Sequence, residues 1–173
     1  MPILKKTDVR PLRPIIMVIY GTPGTGKTSL SNTSENPLLI DCDRGFDRAA
    51  NQVDTLTAQT WEDILSEEGS MKGYKTIIVD TAKSMLDDFL AVYGVKQDYK
   101  LSTNKLKLFG YIADEFKNFV NRRRSDCSDI IFVCHDKETQ EGDLIKHSPD
   151  CTGQSKDLLI RIADQVGFIT MIN

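Results

Sequence analysis

Five short apolar runs punctuate the chain, each closed by polar or turn-forming residues: Ile15–Tyr20, Leu38–Ile40, Thr76–Val79, Asp129–His135 and Val166–Ile172. None alternates strictly between apolar and polar, which is the pattern of strands buried on both faces of a parallel sheet. Between the runs the spacing turns helical. Met85, Leu86, Phe89, Leu90 and Tyr93 recur at three- and four-residue intervals from Thr81 onward, and Phe109, Ile112, Ala113, Phe116, Phe119 and Val120 form a second stripe. Shorter helices are expected from Lys27 to about Asn32 and over Ser155–Ala163. A further one opens at Thr60, where Asp63 three residues on completes a capping box. Gly94–Asn104 is polar and reads as a loop, and 136–154, with Gly142, Pro149 and Gly153, reads as a hairpin or mobile excursion. Strands alternating with helices predict a three-layer α/β fold, a mostly parallel sheet between helices with right-handed crossovers.

At 173 residues the chain is expected to form one domain, 15–173, behind a basic, proline-bearing leader at 1–14. A net charge of −3 gives no overall pull toward nucleic acid or anionic lipid, so any such contact needs a local patch. The four cysteines show no metal-ligand spacing, and the first fourteen residues carry no apolar signal segment. A reducing, cytoplasmic setting without membrane contact is the expectation.

The chemistry concentrates where the strands end. Residues 21–28 read Gly21-Thr22-Pro23-Gly24-Thr25-Gly26-Lys27-Thr28, a G-x-x-x-x-G-K-[ST] loop that follows the first strand and precedes a helix that continues through Ser29. Its glycines reach backbone angles closed to other residues, so successive amides converge on a polyphosphate. Lys27 is expected to reach the β- and γ-phosphates of ATP, and the Thr28 hydroxyl to ligate Mg²⁺. Asp80 closes the third strand as a Walker-B-type acid that holds the same ion; alone, such an acid could equally cap the next helix. Thr81 follows where many ATPases carry Glu. That leaves Asp41 and Asp43 to orient the attacking water, with Asp43 the better placed, although it could also be a turn-forming acid before Gly45. His135, ending the fourth strand, stands where a γ-phosphate sensor would, or is a structural strand-end histidine. Arg122-Arg123-Arg124 ends the long helix as a solvated basic terminus, a DNA contact or an arginine finger.

Together these stretches, with Leu39-Ile40-Asp41-Cys42-Asp43-Arg44-Gly45, Thr76-Ile77-Ile78-Val79-Asp80-Thr81 and Phe132-Val133-Cys134-His135-Asp136-Lys137-Glu138, resemble phage and prophage nucleotide-binding proteins with a RecA-like, AAA-type P-loop core. The Sak-type single-strand annealing ATPases are among them. The resemblance implies an ATP- and Mg²⁺-dependent ATPase that handles single-stranded DNA in recombination together with further copies of itself. It also implies that the strand carrying His135 lies between the phosphate-loop and Walker-B strands. In that family a Glu at the end of the second strand activates water; here Asp43 stands in its place, one methylene shorter, a difference that bears on hydrolysis rate and not on nucleotide binding. Longer relatives carry a C-terminal extension that this chain is expected to lack. Two other classes stay open: a nucleoside or nucleotide kinase, and a nucleotide-gated assembly module with little turnover.

Overall fold

A computed structural model describes residues 13–171. The greater part of the expected leader, and Ile172 at the end of the fifth apolar run, lie outside that range. Six strands run parallel in the order β3-β2-β4-β5-β1-β7, and β6 adds to β5 in the antiparallel sense. They are β1 (Ile16–Gly21), β2 (Pro37–Asp41), β3 (Asp54–Thr57), β4 (Thr76–Asp80), β5 (Asp129–Glu141), β6 (Leu144–Pro149) and β7 (Gln165–Ile169). The helices are α1 (Lys27–Ser31), α2 (Trp61–Ser66), α3 (Leu90–Gln97), α4 (Lys105–Ser125) and α5 (Gly153–Ile162). As the resemblance implied, β5 sits between β1 and β4, pairing Gly21 with His135 on one side and Asp80 with Val133 on the other.

The sheet's two faces are unequal. Ile16, Val18, Leu38, Ile40, Ile77, Val79, Ile130 and Phe132 project onto one face, where Trp61 and Ile64 of α2, Leu90 of α3, the α4 stripe and Leu158 and Leu159 of α5 cover them. Trp61 meets Phe119 edge-on at 5.7 Å between ring centres, and Phe116 meets Phe132 at 5.2 Å. The opposite face keeps a smaller group, Leu39, Ile78 and Val133, with Val53 and Ile131 against it. Helices α2 to α5 contribute nothing to that second group.

Four local features depart from the sequence reading or refine it. β3 is an added edge strand, with Asp54 and Thr57 exposed and no apolar run to announce it. The expected loop at 94–104 begins inside α3 and continues as a 3-10 turn over Tyr99–Thr103. The reason is packing: Gly94 lets α4 come close, since a Cβ there would lie 2.7 Å from the Tyr111 ring. The helix expected from Thr81 starts as a π-helical stretch over Ser84–Phe89 before α3. The excursion at 136–154 is a hairpin, formed because β5 runs six residues past His135 before turning at Gly142 into β6. The capping box at α2 is present, with Asp63 N–H donating to Thr60 Oγ1 and Thr60 N–H donating to Asp63 Oδ2.

Candidate nucleotide site

The carboxyl ends of β1, β4 and β5 open onto a cleft of about 300 Å³. Open parallel sheets bind ligands at this rim, where chain connections part on either side. Of the loop residues, Pro23, Gly24, Gly26, Lys27, Thr28 and Ser29 line it, joined by Asp43, Asp80 and His135. Gly21, Thr22 and Thr25 shape the loop behind that lining. Gly21 lies so close under β7 that a Cβ would sit 2.1 Å from the Ile169 carbonyl oxygen. Gly24 and Gly26 take φ of 82° and 81°, the left-handed region in which a side chain is strained. Thr25 Oγ1 donates to the Thr22 carbonyl at 2.9 Å, and Lys27 Nζ donates to the same oxygen at 2.7 Å. The loop is thereby stapled from within.

Lys27 is buried, and its pKa is lowered by desolvation, an effect that the negative field of Asp80 partly opposes. The Thr28 hydroxyl donates to Asp80 Oδ2 at 2.5 Å. Burial raises the Asp80 pKa above the ordinary carboxylate value; the Thr28 hydrogen bond works against that rise, and Asp43 and Asp41 add to it. Three carboxylates crowded at one strand rim repel one another, and an ion of opposite sign relieves the repulsion. Hydroxyl and carboxylate oxygens are the hard donors that Mg²⁺ takes, so Thr28 and Asp80 fit that ion.

The two acids ending β2 have separate tasks. Asp41 is buried, and its carboxylate accepts the backbone N–H groups of Asp43, Gly45 and Phe46 at 3.1–3.3 Å. It ties the turn that follows β2 and does not line the cleft. Asp43 is exposed to the cleft, and its Oδ2 accepts a hydrogen bond from Thr81 Oγ1 at 3.0 Å. Gly45 accommodates it, because a Cβ there would lie 2.8 Å from Asp43 Oδ1. His135 is half-buried with Nδ1 enclosed and unpartnered among the described residues.

Sequence reasoning missed Arg48, Ala49 and Ala50, which close the cleft from the segment after Gly45, and Thr81 and Cys134 beside the acids. Ser29 Oγ accepts the Ala50 N–H at 3.1 Å, latching that segment to α1. No motif marks these positions; only the turn after Asp43 could have drawn attention to them. The arginine run lies elsewhere. It ends α4 just before β5 begins, at the rim opposite the cleft. Arg123 is buried there, ion-paired with Asp126 at 3.2 Å and set over the Phe119 ring, and Arg122 pairs with Glu68 at 2.8 Å. A wholly solvated basic end is thus corrected: Arg123 is a packing residue of the core edge.

No described helix is long and apolar enough to cross a membrane. No curated protein matches the chain. Residues 13–173, which take in every element described above, match the model of a family described as "AAA domain". With its P-loop architecture and this match over nearly its whole length, the chain belongs to that AAA-domain family and is an AAA-type P-loop ATPase domain.

Proposed function

We propose that the cleft binds ATP with Mg²⁺ and that the chain hydrolyses it, with Asp43 as the acid that orients the attacking water. The observation that carries this reading is the Thr28–Asp80 contact of 2.5 Å, set in the same cleft as Lys27, Asp43 and His135. In this reading the amides of residues 21–29 cradle the phosphates and Lys27 leaves the Thr22 carbonyl to meet the β- and γ-phosphate oxygens. Thr28 and Asp80 hold the ion. Held by these two side chains, Mg²⁺ would supply positive charge against the negative charge that develops during phosphoryl transfer. Asp43, held by Thr81, accepts a hydrogen bond from water and aims it at the terminal phosphorus. His135 donates to the γ-phosphate from the end of β5 and passes its loss on to the hairpin that continues the same strand. The finer part of the proposal, a role in phage-type DNA recombination or single-strand annealing with other copies of the chain, is supported by the sequence resemblance.

Residues 136–154, where a small-molecule kinase would carry an arginine-rich lid, contain lysines and no arginine, which favours hydrolysis over transfer to an acceptor.

Nucleotide binding and phosphate release, measured on wild type and Lys27→Ala, test the core of this reading. Loss of the ammonium should weaken Mg·ATP binding and lower turnover by about 10²-fold or more. A wild type that binds no nucleotide, or a Lys27→Ala protein that binds as well as wild type, would refute it. Titration of labelled single- and double-stranded DNA with and without ATP, at several salt concentrations, tests the DNA role separately.

A further inference from the structure

Beyond the cleft, the root of the β5–β6 hairpin gathers three ligand-type side chains. Residues two apart on a strand share a face, and directly paired residues of antiparallel strands share it too. Asp136 and Glu138 are two apart on β5, and Glu138 pairs with His147 of β6. The register therefore sets all three on one side of the hairpin. Their ligand atoms, one from each, lie within 4.8 Å of one another.

A cluster alone does not make a site, but here one member carries a buried oxygen with no partner among the described residues. The Asp136 side chain is only 1% exposed. Its Oδ2 contacts His147 Nδ1 at 2.6 Å, whereas its enclosed Oδ1 has no partner among the described residues. A carboxylate oxygen shut away from water needs a donor or a cation. The hairpin's lysines are turned the other way: Lys137 and Lys146 occupy the alternate positions, on the opposite face, and Lys146 is ion-paired with Glu141. The imidazole is also held in place, since its ring lies against Phe168 with 4.7 Å between centres, and Phe168 in turn lies against Tyr20.

We propose that Asp136, Glu138 and His147 form a binding site for a divalent transition-metal ion of the zinc class, separate from the Thr28–Asp80 pair. Two carboxylates with one imidazole suit Zn²⁺ better than Mg²⁺, which prefers oxygen alone. The ion takes the place of the direct contact between Asp136 and His147, and meets the unpartnered Asp136 Oδ1. Its ligands come from both strands, so it clamps the base of the hairpin one residue beyond His135.

Calorimetric titration of the full chain with Zn²⁺, in excess Mg²⁺, tests the site. Wild type should bind one equivalent at this site, and both Glu138→Gln and His147→Ala should weaken it by about 10-fold or more. Glu138 is exposed, so Glu138→Gln keeps the test valid if His147→Ala fails to fold. Absence of binding at micromolar Zn²⁺, or binding unchanged in Glu138→Gln and in a folded His147→Ala, would overturn the proposal.

Discussion

One face of the sheet is roofed by α2 to α5 and keeps Trp61, Phe116, Phe119 and Phe132 fully from water, while the other, among the described residues, holds the smaller buried cluster of Leu39, Ile78 and Val133. The cleft borders that thinner side at Val133 and gathers its polar groups at the strand ends. The contrast separates two demands on one sheet. Apolar burial stabilises in proportion to the area removed from water, so the helical layer supplies most of the folding free energy. Charged groups proposed to meet a polyanion need room and solvent, and the open strand ends provide both. Substitutions under the helices should therefore cost stability, and substitutions at the rim should cost turnover.

The largest expected effect tests the first half of that separation. Trp61→Ala leaves a void beneath α2 and should lower stability by about 3–5 kcal/mol in urea unfolding; a loss below about 1 kcal/mol would mean that the helical layer does not dominate. Next comes the rim. Asp43→Asn should reduce ATP turnover by about 10²-fold, equivalent to about 2.7 kcal/mol, with nucleotide affinity and melting temperature near those of wild type. Equal losses of affinity and turnover would instead make Asp43 a binding group. Third, Ile78→Val on the thin face should cost about 0.5–1.5 kcal/mol, and a value rivalling Trp61→Ala would erase the contrast.

The smallest effect concerns Asp80. Its folded-state pKa is raised from the ordinary 3.8, first by burial. The folded chain therefore holds this proton more tightly than the unfolded chain does. The associated stability is fully present below pH 3.8 and is lost as pH rises through the folded pKa. Asp80→Asn, which cannot ionise, should accordingly melt a few degrees higher than wild type near pH 7. That advantage should shrink as the pH is lowered toward 3.8, as thermal melts across the range will show.

Legibility followed the same division between apolar and polar segments. The runs carrying β1, β2, β4 and β5 were plain in the sequence because strands flanked on both sides must be continuously apolar there, whereas β7, equally apolar in sequence, is an edge strand with Val166 and Phe168 exposed. β3, Asp54-Thr55-Leu56-Thr57, sits at an edge with two exposed ends and carries no such run. Gly94 read as a loop residue because it opens the polar stretch 94–104. Only the approach of Tyr111 from α4 gives it a reason to lie within α3. At the site, the phosphate loop, Asp80 and His135 could be located at strand ends from sequence alone. The division of labour between Asp41 and Asp43 could not, since it depends on three backbone N–H groups turning back onto Asp41. Arg48 and Cys134 reach the cleft through folding that no local pattern records.

The carbonyl of Ile169 lies where a side chain at Gly21 would have to go. The phosphate loop is among the first parts of the domain to leave the ribosome, yet one wall of its foundation is written almost 150 residues later, in β7. A nascent chain halted before residue 165 would expose β1 along its β7 side and leave its nucleotide grip without that support. Competence to hold nucleotide should then arrive only once β7 has been made, so that chains halted earlier draw little on the cell's ATP.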